Sequence, residues 1–156
     1  MSGAAGRTAR AVAAERPIAV IRAARDRPCT LLVCRGCCCG NPRKHPGTDH
    51  AGQLERLSTA AADSVGRFTI RTTDCLGPCD QANVVVLQPS TEGRRHGGWA
   101  VWIGFAMDDG LTDDLLRWID QGGPGLAAPP AALELQFIRA PGVDGTRARG
   151  RRRARG

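Results

Sequence analysis

The sequence predicts an α/β domain: a four-stranded sheet with flanking helices, and disordered basic tails outside it. Three observations carry that expectation. Two apolar, β-branched runs each end in a cysteine-rich loop, a segment of helical period lies between them, and two further apolar runs precede a capped helix. The order is strand, helix, strand, strand, strand, helix, with no internal repeat.

The first strand is Thr30-Leu31-Leu32-Val33, which runs into the loop Cys34-Arg35-Gly36-Cys37-Cys38-Cys39-Gly40. After the turn-rich Asn41-Pro42-Arg43-Lys44-His45-Pro46-Gly47, Thr48 or Asp49 can cap a helix over about residues 49 to 65. Ala51, Leu54, Leu57, Ala61 and Val65 recur along one face of it. The second strand, Phe68 to Thr73, enters the loop Cys75-Leu76-Gly77-Pro78-Cys79, and Val84 to Leu87 reads as a buried third strand. Pro89 and the glycines at 93, 97 and 98 mark a loop before Trp99 to Ile103, expected to pair with the third strand as a hairpin. Thr112 is placed to cap the final helix, with Leu111 and Leu116 as a hydrophobic staple, burial of Leu115, Leu116, Trp118 and Ile119, and a stop at Gly122-Gly123-Pro124. Leu133 to Ile138 is apolar enough for an edge strand or a short helix.

These elements define a domain over residues 29-126. Residues 1-28, with Pro17 and Pro28, read as a flexible extension holding at most a short helix around Val12 to Ala24, and residues 127-156 as an extension and basic tail. At 156 residues the chain has room for one modest core.

The net charge of +7 belongs to the ends. Residues 1–28 carry six Arg against Glu15 and Asp26, and residues 127–156 seven Arg against Glu134 and Asp144, whereas residues 29–126 hold nine basic and eleven acidic side chains. The closing Arg151-Arg152-Arg153-Ala154-Arg155-Gly156 could neutralise phosphates, but without interleaved aromatics it reads as a solvated tail, not a nucleic-acid site. No stretch has the ~18 apolar residues of a membrane span, and no apolar signal region precedes a small-residue cleavage site. Adjacent thiols and an odd total of seven cysteines fit a reducing, cytoplasmic setting.

The thiols are the chemistry of this chain. Cysteines spaced C-x4-C, then 35 residues, then C-x3-C, on two loops at strand ends, could surround one metal centre. Soft thiolates suit either zinc or an iron-sulfur cluster. Gly36, Gly40 and Gly77 allow backbone N–H groups close to sulfur or simply make turns, and Arg35 adds positive charge nearby. Cys29, five residues before Cys34, falls on the opposite strand face as a small buried hydrophobe. His45, His50 and His96 read as loop and surface residues, and Trp99, Trp102 and Trp118 as core or partner-facing aromatics.

On the strand-to-Cys34 transition, Cys39, the Cys75-Leu76-Gly77-Pro78-Cys79 loop, the Val84-Val85-Val86 strand and Trp102-Ile103-Gly104 leading to a final helix, the chain resembles the thioredoxin-like 2Fe-2S ferredoxins. That family is related to the small 2Fe-2S subunit of respiratory NADH dehydrogenases. The resemblance covers about residues 30–123 and implies a thioredoxin-like fold with one 2Fe-2S cluster, an electron carrier that is not an enzyme, a redox partner protein and a possible homodimer. It implies Cys34, Cys39, Cys75 and Cys79 as ligands. The Cys37-Cys38-Cys39 triplet departs from the family's pattern, so the second ligand is open among the three: spacing puts Cys39 first, Cys38 next and Cys37 last, because C-x2-C leaves a shorter span.

Two readings compete with a one-electron carrier or redox sensor. A structural zinc module fits four cysteines, although zinc knuckles favour C-x2-C on both sides of small domains. A thiol oxidoreductase could use Cys34-Arg35-Gly36-Cys37, but it leaves Cys75 and Cys79 idle, and Gly40, Pro42 and Pro46 interrupt the helix it needs.

Overall fold

The computed structural model describes residues 26–142. Strand β1 (Cys29–Cys34) leads to helix α1 (His50–Asp63) and strand β2 (Phe68–Thr73). Then follow β3 (Val85–Gln88), a short α2 (Thr91–Arg95), β4 (Val101–Ile103), α3 (Asp109–Asp120), a one-turn α4 (Ala131–Glu134) and β5 (Phe137–Ile138). The sheet order is β2-β1-β3-β4-β5; β1 and β2 are parallel, and the other neighbours antiparallel. A β-α-β unit joined to a β-hairpin and a closing helix in this order is the thioredoxin-like arrangement. The sheet has five strands where the sequence predicts four, because the two residues of β5 pair with Trp102 and Ile103.

Asp49, one of the two candidate caps, accepts a hydrogen bond from Gly52 N at 2.9 Å and starts α1. The helix ends at Asp63, two residues short of Val65. Val65 and Gly66 turn the chain through φ of 52° and 81°, so Val65 leaves the apolar face and is 91% exposed. At α3 the cap is Asp108 instead of Thr112: its carboxylate accepts from Leu111 N at 3.1 Å. Thr112 is instead buried inside the helix, so Leu111 lies in the first turn and the Leu111–Leu116 staple has no place. Leu115, Trp118 and Ile119 enter the core as expected, with Leu116 partly buried against it.

Leu31, Leu57, Leu87, Ile103 and Leu133 are fully buried between sheet and helices; each contributes about 1.5–3 kcal/mol by leaving water. Helices α1 and α3 are tied by an Arg56–Asp113 ion pair and by Gln53 Nε2 donating to Thr112 Oγ1 at 3.1 Å. The packed chain continues past residue 126, where the sequence places its boundary. Leu133 fills the core, Phe137 stacks on Trp118 with ring centroids 5.9 Å apart, and Trp118 Nε1 donates to Ala127 O at 2.8 Å. The N-terminal extension up to residue 25 and the arginine tail from residue 143 lie outside the described residues. No helix among those described is long and apolar enough to cross a membrane.

Candidate metal centre

The two cysteine loops meet because β1 and β2 are parallel neighbours, so both strands release their chains at the same end of the sheet. Cys34 and Thr73 are register partners at that end. The first loop is held on both sides: Cys34 N donates to Val84 O at 3.1 Å and Arg35 N to Thr73 O at 2.9 Å. Gly36 then passes directly against the second loop; a Cβ there would lie 3.0 Å from Cys75 N and 3.1 Å from Cys75 Cα. In the second loop Gly77, at φ +114°, lets Cys79 N donate back to Gly77 O at 2.8 Å. Cys79 opens a 3-10 turn, Cys79–Gln81.

The six loop thiols form two tiers. Cys37 and Cys75 are exposed, and Cys38 and Cys79 are half-buried. Cys75 and Cys79 have sulfurs 3.2 Å apart, and Cys37 and Cys38 3.7 Å apart. The sulfurs of Cys37, Cys38 and Cys79 all lie within 4.8 Å of one another, a group able to hold a metal. Cys75 adjoins this group through Cys79.

Beneath them lie Cys34 and Cys39, 3% and 4% exposed, with Ala82 and Val84. Cys34 Sγ donates to Asp74 O at 3.2 Å, and Cys39 Sγ accepts from Val84 N at 3.3 Å. Of the four ligands expected from the sequence, Cys75 and Cys79 thus stand together in the exposed tier and Cys34 and Cys39 in the buried one. Cys38, the runner-up, is in the exposed tier. Cys29 is remote from both; it is 3% exposed, sits in the main core and donates to Gly122 O at 3.4 Å.

The electrostatics follow the tiers. Burial pushes the Cys39 thiol up to about 11. Cys38 is drawn below the ordinary thiol value, first by Lys44 Nζ donating to its sulfur at 2.9 Å and then by Cys37. Cys75 is drawn down by the hydrogen bond from Cys79, which is itself pushed up to about 12. Cys38 and Cys75, both in the exposed tier, are therefore the thiols poised to present thiolates.

A buried polar network ties the first loop to the fold. Arg35 donates to Cys34 O at 2.9 Å, His50 O at 3.3 Å and Gln53 Oε1 at 3.2 Å, so its guanidinium braces the loop on α1. Its charge still acts on Cys39 and Cys34. Asn83, fully buried, accepts from Gly40 N at 2.8 Å and donates through Nδ2 to His50 Nδ1 at 2.9 Å. Gln53 completes the network on Ala106 O at 2.8 Å. His50 is thus a buried structural residue. His45 lies edge-on to it at 6.3 Å between centroids, and His96 pairs with Glu92; no histidine belongs to the metal-holding group among the described residues.

No family model and no curated protein matches the chain. Among solved structures it is similar to a thioredoxin-like 2Fe-2S ferredoxin from Aquifex aeolicus, at 21% identity and a TM-score of 0.42, over 72% of this chain and 92% of that one.

Two site residues escape the sequence reading, Lys44 and Asn83. Lys44 carries one signal, for it is the sole lysine among 22 basic residues. Asn83 carries none, being an ordinary turn residue until the fold buries it.

Proposed function

We propose that the chain holds one 2Fe-2S cluster at the loop thiols and serves as a one-electron carrier to a redox partner protein, or as a redox sensor of the same chemistry. The observation behind this is three mutually close thiols, Cys37, Cys38 and Cys79, with Cys75 against Cys79, on two adjoining loops at one exposed end of a sheet that has its own core. The donor set is entirely sulfur, which favours iron-sulfur or zinc over harder metals. As the thiols lie, Cys75 with Cys79 and Cys37 with Cys38 are the ligand pairs this geometry favours; the C-x4-C spacing instead favours Cys34 and Cys39 from the first loop. When bound, such a cluster accepts and returns a single electron, with a potential governed by hydrogen bonds to sulfur and by exposure.

The extensive apolar core argues against a zinc module that folds only around its metal. A C-x-x-C oxidoreductase is disfavoured because Cys34 is buried against Asp74 while Cys37 faces Cys38 and the second loop. A cytoplasmic setting and a possible homodimer belong to the same proposal.

Visible absorption with iron and sulfide analysis, on anaerobically purified full-length protein before and after dithionite, tests it. About two irons and two sulfides per chain, with bands that bleach on reduction, are expected. Colourless protein with about one zinc per chain would reject the cluster. Serine at Cys75 or Cys79 should abolish the bands and at Cys29 should not. Serine at Cys37 and Cys38 against serine at Cys34 and Cys39 decides which first-loop pair binds.

A further inference from the structure

Lys44 is exposed, yet its ammonium is fixed over one sulfur, Cys38 Sγ, at 2.9 Å. The loop that carries it is wound around Asn41. Asn41 N donates to Cys38 O at 3.3 Å and Asn41 Nδ2 to Cys37 O at 3.1 Å, while its Oδ1 accepts from Arg43 N at 2.9 Å and its carbonyl from Lys44 N at 3.1 Å and His45 N at 3.0 Å. The chain is thereby folded back on the Cys37–Cys38 segment, and the ammonium is returned to the thiols instead of hanging in solvent. No carboxylate pairs with Lys44 among the described residues. Arginine fills all 21 other basic positions, and arginine's planar fork suits carboxylates and phosphates. A single sulfur in a crowded thiol cluster suits a compact ammonium better.

We propose that Lys44 is the cation that sets the reduction potential of the cluster held at Cys38 and its neighbours, by favouring the state that carries one more negative charge. The inference rests on the 2Fe-2S reading above. A charge-assisted N–H to sulfur bond strengthens as electron density on sulfur grows, so it acts on the reduced state more than on the oxidised one.

Spectroelectrochemical midpoints on anaerobically purified full-length protein test this, comparing wild type with Lys44→Met, Lys44→Gln and Lys44→Arg, each also assayed for iron, sulfide and thermal unfolding. At the wild-type midpoint the reduced-to-oxidised ratio should fall about tenfold in Lys44→Met and Lys44→Gln. Lys44→Arg, which keeps the charge but not the compact ammonium, should shift less than either. Lys44→Gln keeps an N–H donor without charge, and it carries the measurement if Lys44→Met loses iron. Unchanged midpoints with full iron and sulfide overturn the role of Lys44 and leave the cluster standing. An equal shift in all three variants, or iron loss in all three, overturns it by making Lys44 a scaffold residue. Wild-type protein without iron and sulfide overturns both readings.

Discussion

Replacing Gly36 with alanine should drive the two cysteine loops apart. The added methyl would lie 3.0 Å from Cys75 N, 3.1 Å from Cys75 Cα and 3.4 Å from Asp74 C. All three are main-chain atoms, which cannot swing aside as a side-chain tip can. Ordinary contact would need a displacement of roughly half an ångström, and overpacking of this kind costs about 1–3 kcal/mol. Alanine's smaller unfolded-state entropy returns about 0.4–1 kcal/mol, which leaves a net loss of about 0.5–2 kcal/mol. The first residue displaced is Cys75 itself, so metal retention should suffer more than folding does. We expect metal affinity to drop about tenfold or more, in the range seen when ligand-orienting contacts are removed. Competition with a chromophoric chelator measures the affinity, and urea unfolding of metal-free protein measures the stability. Wild-type affinity in Gly36→Ala would refute the claim that the close approach of these loops builds the site.

Two further outcomes test the frame around the site. Leu133→Ala should lower the urea stability by about 2–5 kcal/mol, the cost of a core cavity, which a merely appended segment beyond residue 126 would not show. Burial holds the His50 imidazole below its ordinary value of 6.5. The unfolded chain then takes up that proton at higher pH than the folded one, so stability is complete above about 6.5 and declines as pH falls toward the folded value. Urea midpoints at about pH 7.5 and about pH 5.5 should differ in the wild type and converge in part in His50→Gln.

The long-period elements are legible in the sequence. Strand β2 falls where the alternation places it, and α1 and α3 follow from their apolar spacing. What escapes is decided by partners distant in sequence. Thr112 has cap chemistry, but Gln53 on α1 draws its hydroxyl inside, and Asp108 caps the helix four residues earlier. Helix α2 and strand β5 have five and two residues, too few to show a period. At the site, spacing identifies the two loops but not the tiers within them. Gly40, at φ +73°, reverses the chain after Cys39, whose sulfur meets Val84 N while Cys37 and Cys38 face the second loop. A count of intervening residues contains no such reversal. The place of Lys44 over Cys38 likewise depends on hydrogen bonds centred on Asn41, which no motif announces.

The uneven burial of the cysteines makes the protein a reporter of its own unfolding. In metal-free protein, an alkylating reagent reaches Cys37 and Cys75 in the native state and Cys39 once the first loop opens, whereas Cys29, on β1 in the main core, becomes available only when β1 leaves the sheet. Site-resolved labelling therefore dates two events on one chain, the opening of the loops and the loss of β1 from the sheet, without any added probe.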